Sequence, residues 1–234
     1  APTARAAAPK TSSSDYGAVV LPGLNRERID RAMMILRSSP ASPFVRKARI
    51  GARVLGLIDK IDEREVDLND PADSIRLQNP LGKIPALIMD DGTAWYDSRV
   101  ILNVLDHIAG GGRIVPRAPM ARFEAERLQA LCDGAMDASV LIIYESRYRP
   151  PEMRVESWVE RQADKIARAL AALEDSPPEL SDPPDIGQIA LACLLGYRDL
   201  RFSPDWRKDH PKLAAWLEQF AAAVPAFAET KAEG

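Results

Sequence analysis

The apolar positions in the first third of the chain alternate between short runs and helical stripes. The apolar run Met33–Leu36 and the segment Ile61–Val66 predict two strands, and Pro43 to about Leu55, with Gly56 as a stop, has the pattern of a helix. A strand, a helix and a second strand in this order predict a right-handed βαβ unit with a parallel strand pair.

A short helix, a hairpin and a longer helix are expected next. The short helix is predicted at Ser74–Gln78, and the strands Ala86–Met89 and Thr93–Trp95 flank a turn at Asp90–Gly92. The longer helix begins at Asp97 and places apolar residues on one face. These residues are Val100, Ile101, Val104, Leu105 and Ile108.

The pattern becomes entirely helical beyond a glycine-rich segment at Ala109–Arg113, which Pro116 and Pro119 follow. Four apolar stripes predict a helix bundle, and the third begins with the capping-box spacing of Asp185 and Gln188. The stripes comprise Leu128, Leu131, Cys132, Ala135, Met136 and Ser139; Val155, Trp158, Val159, Gln162, Ile166, Ala169, Leu170 and Leu173; Ile186, Ile189, Ala190, Cys193, Leu194 and Tyr197; and Leu213, Trp216, Leu217 and Phe220.

This organisation predicts an α/β part followed by an all-helical part. The expected segments are an extension over residues 1–32, a mixed domain over 33–108, a linker over 109–118 and a helical domain over 119–234. The first fifteen residues are rich in Ala, Pro, Ser and Thr, so the extension is expected to be disordered or loosely packed.

Composition narrows the possible partners. The chain has 234 residues and a net charge of -3 from 31 basic and 34 acidic residues that are well mixed, which argues against a nucleic-acid or membrane partner. Its two cysteines, Cys132 and Cys193, lie far apart on apolar stripes, so buried free thiols are expected rather than a disulfide or a metal site. The expected location is the cytoplasm.

Ser42 and Pro43 mark the most informative point in the sequence. Ser42 has the position of an N-cap, and Pro43 stands at the first helical position, where its missing N–H costs nothing. The start of such a helix attracts anions, because free N–H groups and the positive end of the helix dipole converge there. A thiolate, a phosphate or a carboxylate would fit, and a plain helix cap without chemistry is the simplest alternative.

Four segments together resemble the glutathione S-transferase family. They are Ser42–Lys47 (Ser-Pro-Phe-Val-Arg-Lys), Asn79–Leu87 (Asn-Pro-Leu-Gly-Lys-Ile-Pro-Ala-Leu), Asp97–Ser98, and Asp185–Ala190 (Asp-Ile-Gly-Gln-Ile-Ala). The resemblance to this family, in its serine-type, bacterial form, implies a thioredoxin-like βαβ-α-ββα domain followed by a helical-bundle domain. It covers the chain from about Met33 onward, and the extension before it has no counterpart in the family pattern.

The resemblance also implies a glutathione site. Pro85 is similar to the family's cis-proline, which would present the backbone of Ile84 to the cysteinyl backbone of glutathione as an added strand does. Ser98 and the free amides of its helix suit the γ-glutamyl carboxylate, and Asp97 suits the ammonium group. Lys83 would meet the glycyl carboxylate. Glutathione would be a co-substrate, with no bound cofactor and no metal.

Ser42 lies where serine-type members have their catalytic hydroxyl. As a hydrogen-bond donor it would stabilise the thiolate of glutathione, and lowering the pKa of a thiol by two units needs ~2.7 kcal/mol. A charge-assisted hydrogen bond of ~1.5–3 kcal/mol plus the helix end can supply that. Ser39 and Ser38 are rivals, but only Ser42 is followed by a proline at the first helical position. No cysteine lies near this point, which argues against glutaredoxin-type chemistry.

The expected function is a transferase of alkyl or aryl groups to glutathione, with a role in detoxification and with a small apolar electrophile as second substrate. The second pocket is assigned to Phe44, Met136, Ser139, Val140, Ile143, Tyr144 and Tyr148. A homodimer is expected, with contacts from the hairpin and the start of the first bundle helix. A non-catalytic carrier or interaction protein of the same fold is the alternative, and isomerase, dehalogenase, peroxidase and ether-cleaving chemistries stay open.

Overall fold

The structure is a computed structural model that describes residues 33–232, so the prediction for residues 1–32 lies outside the described part. The mixed part contains four strands and three α-helices. In chain order these are β1 (Met34–Ser38), α1 (Pro43–Val54), β2 (Ile61–Glu65), α2 (Ile75–Gln78), β3 (Ala86–Ile88), β4 (Ala94–Trp95) and α3 (Ser98–Ile108). A 3₁₀ turn at Ile58–Lys60 precedes β2.

The strands form one sheet in the order β2-β1-β3-β4. β1 pairs with β2 in parallel, with Met34 opposite Ile61, and with β3 in antiparallel fashion, with Ile35 opposite Ile88. The parallel pair and the β3–β4 hairpin confirm the predicted βαβ unit and hairpin. The mixed sheet and its flanking helices form the expected thioredoxin-like fold.

The helical part begins at Pro119 and contains six α-helices. They are α4 (Pro119–Tyr148), α5 (Glu156–Asp175), α6 (Ile186–Arg201), α7 (Trp206–Asp209), α8 (Pro211–Ala223) and α9 (Ala226–Glu229). The two single-turn helices α7 and α9 were not predicted. No helix of the described residues is long and apolar enough to cross a membrane.

Helix α6 forms the centre of the helical part, and it packs against both α4 and α1. Twelve consecutive residues of its sixteen are buried, which include the third predicted stripe and also the other faces of the helix. Asp185 caps it, since its carboxylate accepts from the backbone N–H groups of Gly187 and Gln188 while the Gln188 side chain accepts from the Asp185 N–H. The predicted capping box is therefore present. Both cysteines are buried free thiols, as expected.

Some of the predicted apolar faces are wrong at their ends. Val155 and Trp158 are 48% and 43% exposed, because Val155 precedes α5 as its N-cap and Trp158 lies in the first turn, whereas the buried face of that helix starts at Gln162. Val100, in the first turn of α3, is 39% exposed, and Leu131, inside α4, is 40% exposed.

The segment that joins the two parts is held by one buried carboxylate. Asp106, near the end of α3, accepts hydrogen bonds from the backbone N–H groups of Gly112, Arg113 and Ile114 at 2.6–2.9 Å. Gly110, Gly111 and Gly112 all have positive φ, which explains why three glycines stand in a row. The predicted linker is thus an ordered turn.

A close approach of α4 and α6 at Gly187 generates a stability prediction. A Cβ added at Gly187 would lie 2.7 Å from the backbone oxygen of Ala125, which cannot move away as a flexible side chain could. For Gly187→Ala we expect a net loss of about 2 kcal/mol, because overpacking at the upper end of ~1–3 kcal/mol exceeds the ~1 kcal/mol gained in helix propensity. Chemical denaturation measures this change.

Gly134 provides the matched control. It is also a helical glycine, on α4, but a Cβ there would meet nothing within 4 Å. Gly134→Ala should therefore stabilise the protein by about 0.5–1 kcal/mol. Equal stability of the two variants would contradict the proposed close packing at Gly187.

Candidate functional site

A cleft of about 550 Å³ opens between the mixed part and helix α4. Its walls come from the loop before β3, the start of α3, the first turn of α1 and one face of α4. The residues that line it are Phe44, Asn79, Leu81, Lys83, Ile84, Pro85, Tyr96, Asp97, Ser98, Arg99, Val100, Asp133 and Asp137. All five predicted glutathione-binding residues, together with Phe44, are therefore brought into one cleft.

The loop that presents Lys83 is held by a buried asparagine. Asn79 is only 2% exposed, and its side-chain amide donates to the carbonyl of Lys83 at 2.8 Å while its side-chain oxygen accepts from the backbone N–H of Leu81. The Ile84–Pro85 peptide that follows is cis, as the family resemblance implies. Lys83, Ile84 and Pro85 thus face the cleft from a fixed loop.

Asp97 caps α3 and forms an ion pair with its neighbour Arg99. Its carboxylate accepts from the backbone N–H of Arg99 at 2.9 Å and from the Arg99 guanidinium at 2.9 Å. Burial acts to raise the pKa of Asp97, but the Arg99 hydrogen bonds and charge outweigh it and hold the pKa below its usual value. Arg99, which the sequence analysis did not assign to the site, therefore shares the carboxylate expected to meet a ligand ammonium.

Ser98 is the first residue of α3 and is 2% exposed. Its hydroxyl oxygen accepts a hydrogen bond of 3.2 Å from the ammonium of Lys47 on α1. An ammonium has donors only, so the hydroxyl proton of Ser98 is free to be donated to another group. Ser98 can therefore act as a donor at the helix start.

Lys47 is fully buried, which the sequence pattern did not reveal. Its ammonium also lies 2.6 Å from a carboxylate oxygen of Asp133 on α4, and Arg99 lies 3.7 Å from the other oxygen. Burial raises the pKa of Asp133 in spite of the opposing Lys47 charge. This ion pair connects the mixed part to α4 at the cleft.

Asp137 lies one helical turn after Asp133 and also lines the cleft. Partial burial raises its pKa, and the nearby Asp133 charge acts in the same direction. Neither aspartate was predicted. Their spacing of four on the first bundle helix was the available signal, but both lie beside the predicted apolar stripe, and this position does not indicate which cavity they face.

Ser42 has the predicted N-cap geometry. Its backbone is extended, and its hydroxyl oxygen accepts from the backbone N–H of Val45 at 3.3 Å, which leaves the hydroxyl proton available. Ser42 is half-buried and is not among the residues that line the cleft, although Phe44 in the same helical turn is. Of its rivals, Ser38 is fully buried and its hydroxyl has no hydrogen-bond partner among residues 33–232, and Ser39 is half-buried.

The predicted second-substrate residues divide into two groups. Met136 and Ser139 are fully buried, and the Ser139 hydroxyl donates to the carbonyl of Ala135, so both belong to the core and the prediction that they line an open pocket is wrong. The same helical period that suggested a pocket face also describes the core face of α4. The remaining residues on this helix are partly or well exposed: Val140, Ile143, Tyr144 and Tyr148.

Tyr144 and Tyr148 lie in edge-to-face contact, with ring centroids 5.2 Å apart. Burial raises the pKa of Tyr144, and the neighbouring Tyr148 adds to the effect.

Among the described residues, no group of three or more His, Cys, Asp or Glu side chains could hold a metal ion.

Comparison with known proteins agrees with this arrangement. Residues 36–113 match the family model of the glutathione S-transferase N-terminal domain, and residues 156–219 match that of the glutathione S-transferase C-terminal domain. The uncharacterized GST-like protein YibF of Escherichia coli K12 is 32% identical over 190 residues, which are 79% of this chain and 92% of YibF.

Two solved structures show the same fold. A glutathione transferase family member from Pseudomonas fluorescens Pf-5, with bound glutathione, is 43% identical, covers 86% of this chain and all of its own, and has a TM-score of 0.79. A glutathione S-transferase from Methylobacillus flagellatus KT, with glutathione bound, is 34% identical with the same coverage and TM-score. With both halves matched in order and a relative above 30% identity across most of its length, this chain belongs to the glutathione S-transferase family.

Proposed function

We propose that this protein is a glutathione transferase that stabilises the thiolate of glutathione for attack on a small apolar electrophile. The observation that supports it best is that Lys83, Ile84, Pro85, Asp97 and Ser98, predicted from separate segments, line one cleft. In the reaction the thiol gives its proton to solvent, the sulfur forms a bond to carbon, and the alkyl or aryl group is transferred as its leaving group departs.

The charges of the cleft match those of glutathione. Lys83 is the proposed partner of the glycyl carboxylate, and the backbone of Ile84 pairs with the cysteinyl unit. The N–H groups at the start of α3 and the Ser98 hydroxyl would bind the γ-glutamyl carboxylate. Asp97, Asp133 and Asp137 supply the negative charge that its ammonium group needs.

Lys47 has a positioning role in this proposal. Because its buried ammonium donates to the Ser98 oxygen, it favours the rotamer in which the Ser98 hydroxyl donates toward the cleft. Because it also donates to Asp133, it fixes the distance between α3 and α4. The same ammonium would thus align both groups that flank the γ-glutamyl unit.

Ser42 is the proposed donor to the sulfur. Its oxygen already accepts from the Val45 N–H, so its proton remains for a thiolate at the start of α1, where the helix dipole adds to the stabilisation. The lowered pKa of the thiol makes the thiolate, rather than Ser42, the nucleophile.

A solved structure of a relative supports bond formation at the sulfur of glutathione. The Pseudomonas fluorescens family member, 43% identical to this chain, has also been solved with bound S-(propanoic acid)-glutathione, in which the sulfur bears a carbon substituent. We propose that the substituent of a comparable product here would lie toward Phe44, Val140, Ile143, Tyr144 and Tyr148.

We also propose a homodimer formed through the hairpin side and the start of α4. Exposed apolar side chains occur at the start of α4, where Met120 and Phe123 are 68% and 59% exposed. Such side chains are typical of surfaces that are covered by a partner.

The cytoplasmic location and the role in detoxification stay predictions.

A glutathione carrier without turnover is the second candidate, and the position of Ser42 outside the cleft lining favours it. The two functions are distinguished by an assay. The protein is titrated with glutathione by calorimetry and then mixed with glutathione and a panel of electrophiles that includes an aryl halide. We expect saturable binding and enzyme-dependent loss of glutathione; binding without any turnover would support the carrier.

Substitution of Ser42 tests the thiolate role. In Ser42→Ala we expect glutathione affinity within about threefold of the original, loss of the ultraviolet thiolate absorbance of the bound thiol, and a kcat lower by roughly 10- to 100-fold, as ~1.5–3 kcal/mol of stabilisation disappears. Ser42→Gly separates this effect from helix capping, because glycine retains most of the cap stability. Ser39→Ala is the control and should behave as the original protein; an unchanged thiolate signal in both Ser42 variants would reject the assignment.

Lys47→Met tests the buried ion pair. Removing the ammonium leaves the Asp133 carboxylate buried without its nearest cation, so we expect a loss of about 3–5 kcal/mol in the free energy of unfolding. The double variant Lys47→Met/Asp133→Leu removes both charges and should recover most of that stability while glutathione affinity stays weakened. Full recovery of affinity in the double variant would contradict the positioning role.

A further inference from the structure

A second cavity lies entirely within the helical part and shares no residue with the cleft. Its volume is about 440 Å³, within the usual range for small-molecule sites. One wall is formed by apolar residues of α4 and α5, and the other by the end of α6 and the segment around α7. The lining residues are Ile142, Val159, Ala163, Ile166, Ala167, Leu170, Arg198, Phe202, Ser203, Asp205, Trp206, Asp209 and His210.

Arg198 is the unusual member of this lining. Its guanidinium lies over the ring of Phe202 at 3.9 Å from the centroid, and its Nε is buried without a hydrogen-bond partner anywhere in residues 33–232. A buried N–H donor without an acceptor costs free energy, and the cost is greater for a charged group. The cavity thus contains a cation whose hydrogen-bonding capacity is not used by the protein.

Arg37 and Arg49 also have a buried Nε without a hydrogen bond, but each forms an ion pair, with Asp73 at 2.8 Å and with Glu63 at 3.1 Å. Arg46 also stacks on a phenylalanine, Phe227, but it donates to the Phe227 carbonyl at 2.6 Å and to the Thr230 hydroxyl. The pKa of Arg198 is lowered by burial alone, and no carboxylate among the described residues offsets this loss of water. The contrast indicates that the missing partner of Arg198 is a ligand.

We propose that this cavity is a binding site for an apolar carboxylic acid, with the carboxylate on Arg198 and the hydrocarbon part against the α4 and α5 wall. A guanidinium and a carboxylate match in a paired geometry, which makes this the strongest use of the unused donors. The Ile142, Ile166 and Leu170 side chains offer the apolar surface.

The acidic residues at the cavity favour a single negative charge. Asp205 and Asp209 both line it, so a doubly charged phosphate would meet repulsion that a monoanion largely avoids. Asp205 is engaged by the Ser203 hydroxyl and by Lys208 at 2.9 Å, and it is not the partner of Arg198. A fatty acid of medium length fits this combination of one cation and an apolar wall.

Calorimetry with decanoate tests the site. The protein is first saturated with glutathione, so that the cleft is occupied by its own ligand, and decanoate is then titrated. We expect saturable binding at micromolar to submillimolar concentration, with decan-1-ol, which has the same chain without the charge, bound at least tenfold more weakly. No binding of decanoate below 1 mM, or equal binding of the alcohol, would overturn the proposal.

Variants locate the bound molecule. Arg198→Gln should weaken decanoate at least tenfold, whereas Arg161→Gln, the same change at an exposed position of α5, should leave it unchanged. Should Arg198→Gln fail to fold, Ala167→Phe fills the cavity from an exposed position and should abolish binding. Glutathione affinity should be unaffected in each variant, and decanoate binding that survives both Arg198→Gln and Ala167→Phe would exclude this cavity.

Discussion

The buried contact of Lys47 with Asp133 is the interaction on which the shape of the cleft depends. It crosses from α1 to α4, and the same ammonium reaches the Ser98 hydroxyl at the start of α3. A buried ion pair contributes little net stability, because the cost of desolvation offsets the attraction. Removing one partner, however, strongly destabilises the protein. Its value is geometric, because one side chain connects the three helices that surround the cleft.

The helices themselves approach each other through small residues and one buried arginine. Gly187 lets α6 lie against the backbone of α4, and Gly196 leaves room for the guanidinium of Arg46, 2.4 Å from where a Cβ would be. Arg46 in turn attaches the C-terminal residues Phe227 and Thr230 to α1. The helix that presents Ser42 is therefore supported along its length by the helical part.

Local signals in the sequence were reliable where the conformation of an element depends only on its own residues. The serine and proline at the start of α1, the capping box at Asp185 and the three glycines after α3 each depend on backbone geometry within a few residues. Patterns that depend on a partner were less reliable. Apolar residues of α4 recur with the same spacing whether they face a cavity or the core. Met136 was therefore assigned to a pocket although it is fully buried.

By itself the sequence determined the order of the elements, their caps and, through four short motifs, the family and the residues that meet in the cleft. Only the tertiary structure decided that Lys47 is buried on Asp133, that Arg99 shares the Asp97 carboxylate and that Arg198 has an unused donor. The physical reason is that hydrogen bonds and helix caps are local along the chain, whereas the free energy of a charge depends on groups from distant segments and on the water they exclude.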